Sequence, residues 1–288
     1  KGDKPLEIVS TRQWYISNGA RDEKLRDRLL DAGKQIAFHP DFMRVRYENW
    51  VGGLTGDWLI SRQRFFGVPI PVWYELDENG ERGRVIVPSE DQLPVDPSSD
   101  VPPGFTEADR GVRFEGELDI MDTWATSSLT PQIAGGWGTD DELFDLVFPY
   151  SLRSQGQDII RTWLFSTVLR AQLEHGSIPW ANAGISGFIV DPDRKKMSKS
   201  KGNVVTPGAI LDEHGADAVR YWAASSRLGT DAAFDPQNPK TMKIGRRLAI
   251  KVLNAAKFVY SFESAALGDR GAAEPRVEIT NPLDVDLL

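Results

Sequence analysis

Two stretches in the second half of the chain restrict its fold more than any others. Residues 145–158, "DLVFPYSLRSQGQD", followed by 159–174, "IIRTWLFSTVLRAQLE", read as strand, loop and helix. Residues 183–190, "AGISGFIV", read as a buried strand running straight into a basic loop, "DPDRKKMSKSKGN", at 191–203. Beyond that loop Thr206 is placed to cap a helix, with Pro207 at its first position. Strands alternating with helices imply a parallel sheet covered by helices. In such sheets ligands sit beyond the carboxyl ends of the strands. The loops at 156–158 and 191–203 both follow apolar strands, so both are expected on that one edge.

The rest of the chain is consistent with an α/β class. "LEIVS" at 6–10 reads as a strand. "RDEKLRDRLLDAG" carries Leu25, Leu29 and Leu30 at helical spacing, with Gly33 as the expected stop. Tyr47, Trp50, Val51 and Leu54 share a second helical face. "DWLISRQRFFGVPIPVWYEL" alternates apolar strands with Gly and Pro breaks. "DENGERG" is a hairpin turn that returns through "RVIV". Ser89 to Gly104 is rich in Pro, Ser and Asp and reads as a surface excursion, within an insertion spanning about 75–115. "LDIMDTWATSSL" resumes order, and "KIGRRLAIKVLNAAKFVYSF" is a long amphipathic helix before a polar tail. At 288 residues the chain exceeds the usual single domain.

Composition narrows the chemistry. No run of eighteen apolar residues exists, so no membrane span is expected. The N-terminus has no apolar signal core. The chain has no cysteine, which excludes disulfides and thiolate metal sites and fits a reducing cytoplasm. Its 3 histidines are isolated, so neither zinc nor any other resident metal is expected. A net charge of -8 argues against blanket attraction to nucleic acid, so an anion site must be local. The best candidate is "DRKKMSKSKGN", where 5 of 11 residues are Lys or Arg.

Transfer of a nucleotidyl group to a carboxylate expels pyrophosphate, and positioned ammonium groups stabilise the charge that grows on it. Lysine, a compact charge on a mobile stem, suits that task. Lys196 and Lys199 can reach one anion from such a loop. Ser198 and Ser200 add hydroxyl donors, and Gly202 allows close backbone approach. The plain rival is a solvated charge run. The ordered pattern Lys-Met-Ser-Lys-Ser, after an apolar strand and before a helix, argues against it. At "GQD", 156–158, Asp158 is either a helix N-cap or an acceptor for ribose hydroxyls, with bare backbone at Gly156 for a purine.

"KMSKS" resembles the second signature of the class I aminoacyl-tRNA synthetases, and "GQD" is similar to their Gly-x-Asp. "DWLISRQRFFGVPIP" resembles a block of the valyl, isoleucyl and leucyl members. Asp122, Thr123, Trp124, Ser127 and Ser128 of "MDTWATSSLTPQI" look valyl. The resemblance implies a Rossmann-like catalytic domain, its C-terminal half, over 1–204. A stem-contact region would follow at 205–240 and the start of a helical anticodon-binding domain at 241–288. It implies ATP, with substrate-associated Mg2+, held by Gly156, Gln157, Asp158, Phe188, Ile189, Met197 and Lys199. Lys196, Lys199, Ser198 and Ser200 would act on the phosphates. Phe66 and Trp124 would wall an amino-acid pocket sized for valine, though plain core aromatics are the rival. Gln157 stands where relatives often carry histidine, and Phe66 where they often carry tryptophan.

The implied partners are valine, ATP and tRNA(Val), in a cytoplasmic, monomeric whole enzyme. Lys243, Arg247 and Lys251, four apart on the last helix, would meet tRNA phosphates or simply face solvent. The family's His-x-Gly-His signature and its hydrolytic editing insertion do not occur in this sequence. "PLEIVSTRQWYI" resembles the point of return from that insertion. The chain is thus expected to be the middle part of a longer enzyme, inactive or nearly so by itself. Two alternatives stay open: the same chemistry with isoleucine, and a non-catalytic RNA-binding module.

Overall fold

A computed structural model describes residues 10–198, 200 and 202–267. The strand expected at 6–10, Lys199 and the polar tail therefore lie largely or wholly outside the described residues. The described chain divides into two compact units. The first runs to Phe188 and takes in Leu228–Asp231; the second holds Ile189–Arg227 and resumes at Ala232.

In the first unit, β1 (Tyr15–Ile16) precedes α1 (Glu23–Gln35). Asp22 starts α1 by accepting the Leu25 N–H at 3.0 Å. Gly33 does not stop this helix. It lies inside it because the Tyr47 ring fills the space a side chain would need: a Cβ there would stand 2.4 Å from Tyr47 Cε1. The short strand β2 (Ala37–His39) leads through a 3-10 turn into α2 (Arg44–Gly52). Tyr47 is fully buried, and its hydroxyl donates to the Leu29 carbonyl at 2.8 Å. Burial and loss of hydration push that phenol well above its ordinary value.

Next come β3 (Trp58–Leu59), β4 (Ser61–Arg62), β5 (Trp73–Leu76), β6 (Arg82–Ile86), β7 (Phe114–Gly116) and β8 (Ile120–Met121). β3 pairs with β1 and β4 with β8, both antiparallel. β5 is the centre of an antiparallel sheet ordered β6-β5-β7, and the expected hairpin turn joins β5 to β6. That sheet has its own core of Trp73, Ile86 and Phe114, and the excursion after Ser89 returns Val95, Val101 and Phe105 to it.

Three helices follow: α3 (Thr123–Ser127), α4 (Thr130–Gly135) and α5 (Asp141–Val147). "DLV" ends α5 rather than opening a strand, because Asp140 caps that helix by accepting the Leu143 N–H. The strand begins later, as β9 (Tyr150–Gly156), in residues read as loop. A 3-10 turn (Gln157–Ile159) and a π turn (Ile160–Leu164) lead into α6 (Phe165–His175), and then to β10 (Trp180–Ser186). β10 is the middle of a wholly parallel sheet ordered β2-β10-β9. Helices α1, α2 and α6 and the π turn bury Leu29, Val51, Val168 and Leu164 with Ile185 of β10 in one cluster. Each such burial stabilises the fold by roughly 1.5–3 kcal/mol.

"AGISGFIV" is not one strand. β10 ends at Ser186, and β11 (Ile189–Val190) belongs to the second unit. Residues 228–231 cause the break. The Gly229 N–H donates to the Ile185 carbonyl at 2.8 Å, and the Phe188 N–H is taken by Asp231. A Cβ on Gly187 would stand 2.1 Å from the Thr230 carbonyl oxygen. The basic loop therefore belongs with the second unit and does not extend a strand of the parallel sheet.

In the second unit α7 (Gly208–His214) and α8 (Ala216–Ala224) precede β12 (Ala232–Ala233), which pairs parallel to β11. Thr206 does not cap α7. Its N-cap is Pro207, whose carbonyl accepts the Leu211 N–H, and no side chain caps it. α9 (Lys240–Leu267) closes the described chain. Ile210, Ala218, Phe234 and Met242 form this unit's core, with Met197 and Trp222 against it.

Candidate functional site

Gly156 ends β9 at the carboxyl edge of the parallel sheet, opposite Ser186 of β10. It is the N-cap of the following turn and uses no side chain to do so. Asp158 is therefore not a cap. It sits inside the first turn, exposed, and its carboxylate has no hydrogen bond or ion pair among the described residues. A Cβ on Gly156 would stand 2.7 Å from Asp158 Oδ1, so glycine is what lets that carboxylate lie over the strand end. Gln157 donates to Asp231 Oδ1 at 3.1 Å. Phe188 donates its N–H to the same oxygen at 2.8 Å. Gly156, Gln157, Asp158 and Phe188 thus share one unit, whereas Ile189 opens the other.

The basic loop is held by two side chains that the sequence reading passed over, Asp191 and Asn203. Asp191 is buried, and its Oδ1 accepts the Lys195 N–H at 2.7 Å. Asn203 donates from Nδ2 to Asp191 Oδ2 at 2.8 Å and to the Lys196 carbonyl at 3.2 Å. Its Oδ1 accepts the Ser198 N–H at 3.0 Å. These bonds, that from Asn203 first and that from the Lys195 N–H second, hold the Asp191 carboxyl below its usual range. Lys196 bridges back to Val190, and the Ser198 and Ser200 hydroxyls stand 3.3 Å apart. Met197 points the other way, into the core of its unit, and its sulfur accepts the Val205 N–H. Lys199 lies outside the described residues.

Trp124 lies between two clefts of the first unit. One, of about 450 Å³, also has Trp58, Trp50, Arg62 and Arg161 on its walls. The other, of about 490 Å³, is walled by Phe66, Arg64 and Val68 as well. Phe66 and Trp124 thus share a cleft, although Phe66 is 91% exposed. Asp122 fixes Trp124. Its Oδ1 accepts the Trp124 N–H at 3.0 Å, starting α3, while Oδ2 pairs with Arg62. The Asp122 N–H donates to the Ile60 carbonyl at 2.6 Å. Ser128 is buried and donates to the Ala125 carbonyl; Ser127 donates to the Thr123 carbonyl. Trp163 Nε1 bonds the Ser127 carbonyl at 2.9 Å and so ties α3 to the π turn. That turn buries Ile160, Trp163 and Leu164 while Arg161 and Thr162 reach the first cleft.

Arg161 carries no motif that marks it in the sequence, and Trp58, inside "DWLISRQRFFGVPIP", is not singled out there; only the fold brings the two to Trp124. On α9, Lys243, Arg247 and Lys251 are all exposed, and Arg247 Nε donates to the Lys243 carbonyl.

A family model described as tRNA synthetases class I (I, L, M and V) matches residues 6–235. The valine-tRNA ligase of Leifsonia xyli subsp. xyli (strain CTCB07) is 69% identical over 100% of this chain and 33% of its own length. That of Thermobifida fusca (strain YX) is 63% identical over 100% of this chain and 32% of its own length. The chain thus spans about a third of the length of the curated relatives it matches. Among solved structures, Mycobacterium tuberculosis methionyl-tRNA synthetase in complex with methionyl-adenylate aligns with a TM-score of 0.53 at 23% identity, over 88% of this chain and 42% of that one. The LeuRS-tRNA-LeuAMS ternary complex of Agrobacterium radiobacter K84 aligns with a TM-score of 0.53 at 24% identity, over 69% and 28%. Both share the Rossmann-like fold of the class I catalytic domain.

Proposed function

The chain belongs to the class I tRNA synthetases of the I, L, M and V group, and from that premise we propose that the protein carrying it is a valine-tRNA ligase. Valine would attack the α-phosphorus of ATP through its carboxylate. The bond to pyrophosphate breaks and valyl-adenylate forms. A ribose hydroxyl at the 3' end of tRNA(Val) then attacks the valyl carbonyl, and AMP leaves.

The observation that carries the nucleotide part is the Asp158 carboxylate, unpartnered among the described residues at the carboxyl end of β9. It is disposed to accept hydrogen bonds from the two hydroxyls of a ribose, with Gly156 giving a purine access to backbone. Phe188 and Ile189 supply the strand exit that an adenine edge would follow. Lys196, Lys199, Ser198 and Ser200 supply charge and donors for the departing pyrophosphate, and Mg2+ would enter with the phosphates of ATP. Met197 serves by anchoring its loop in the apolar core. Trp124, pinned by Asp122, and Phe66 form the wall that limits the amino-acid side chain. Lys243, Arg247 and Lys251 offer a stripe for tRNA phosphates. By this reading 1–204 is catalytic sequence, 205–240 the stem-contact region and 241–288 the opening of the anticodon-binding domain.

The shared identity with valine-tRNA ligases supports valine over isoleucine. The deciding measurement is amino-acid-dependent ATP–pyrophosphate exchange by the full-length protein. Valine is expected to drive it and isoleucine to drive it far less; equal rates would overturn the assignment. Lys199→Ala is expected to lower kcat for exchange while leaving KM for valine nearly unchanged. Equal losses in both would count against a role on the leaving group.

A further inference from the structure

We infer that Asp231, far from the nucleotide turn in sequence, is the residue that positions it. This rests on the reading of Gly156–Asp158 and Phe188 as a nucleotide site. One carboxylate oxygen, Asp231 Oδ1, receives both the Gln157 side-chain amide at 3.1 Å and the Phe188 backbone N–H at 2.8 Å. It therefore links the first turn after β9 to the exit of β10, two neighbouring parallel strands.

The carrier of this carboxylate is itself seated. Gly229 donates its N–H to Ile185, and the Thr230 carbonyl fills the space over Gly187. Asp231 thus arrives on a short strap fixed at the carboxyl edge of the sheet, where open α/β sheets take their ligands. A carboxylate accepting two N–H groups is a stronger tie than a neutral acceptor would be. Its effect is to hold Gln157 by its side chain, and so to set the backbone on which Gly156 and Asp158 are carried. It also removes the Phe188 N–H from the donors available to a purine. Asp231 is a positioning residue: it acts through Gln157 and Phe188.

The test uses the full-length protein with Asp231→Ala and Asp231→Asn. Asparagine keeps an acceptor oxygen; alanine does not. Asp231→Ala removes both charge-assisted hydrogen bonds and is expected to raise KM for ATP about tenfold. KM for valine should stay within about twofold, and Asp231→Asn should restore most of the ATP value. Hydrogen exchange at residues 186–190 should accelerate in Asp231→Ala and not in Asp231→Asn. An unchanged KM for ATP, or equal rises for ATP and valine without rescue by Asn, overturns the inference. If the unaltered protein shows no valine-driven exchange, the proposed function fails. Direct titration of the three proteins with ATP then decides the role of Asp231, with equal affinities overturning it.

Discussion

At the scale of single residues, the site is built by side chains that hold others in place. Asp122 is the clearest case. Its carboxylate caps α3 at Trp124 and pairs with Arg62, so one group fixes both the wall of a cleft and a cation beside it. Asp122→Ala removes the cap and the pair together. It is expected to destabilise the protein by about 1–2 kcal/mol, mostly through the lost cap. More tellingly, it should raise KM for valine and narrow the gap between valine and isoleucine in exchange. Thermal unfolding and paired exchange assays check both, and an unchanged valine-to-isoleucine ratio would detach Trp124 from selectivity. Asn203 plays the matching part in the basic loop. With it changed to Ala, the Ser198 N–H, the Lys196 carbonyl and Asp191 lose a shared partner. The expected result is a fall in kcat for exchange larger than any rise in KM for ATP, read from the same steady-state assay.

Among the elements, the β6-β5-β7 sheet carries its own electrostatic lock. Glu117 is buried, and burial alone would raise its pKa. Hydrogen bonds from Tyr74, the Asp119 N–H and Trp14, with the Arg82 charge, outweigh that and hold the carboxyl below its ordinary value. Tyr74 moves the other way, to about 12, through burial first and its bond to Glu117 second. The signs set two windows. Glu117 stabilises the fold fully above its ordinary value near 4.5, and this is lost as pH falls through the lowered folded value. The Tyr74 contribution is complete below 10 and disappears as pH climbs toward 12. Tryptophan fluorescence against pH should show an acid transition that Glu117→Gln moves or flattens; identical acid limbs would refute the lock.

The same scale shows what was legible. α1 could be read because the leucine spacing is a local signal. The hairpin of β5 and β6 was readable from its turn residues. β2 could not be, since three residues are too few to show a periodicity. The division of "AGISGFIV" was hidden because its cause, residues 228–231, lies far along the chain. "GQD" and "KMSKS" were visible as motifs, whereas Arg161 and Asp231 become functional candidates only through the fold.

For the molecule as a whole, charge is distributed against its total. The net charge is -8, yet α9 presents Lys243, Arg247 and Lys251 on one exposed stripe. Changing all three to Gln in the full-length protein is expected to weaken tRNA binding and flatten its dependence on salt, with amino-acid activation unchanged. Filter binding across a salt series measures both, and an unaltered slope would return the stripe to plain solvation. The strap at 228–231 has a consequence of another kind. During synthesis, the sheet that ends at Ser186 cannot acquire its last carboxylate until Asp231 has emerged from the ribosome. By then the sequence of α7 and α8 has already been made. A gene truncated after Phe188 would yield a polypeptide whose own rim is unfinished, so the two units cannot be parted by a single cut.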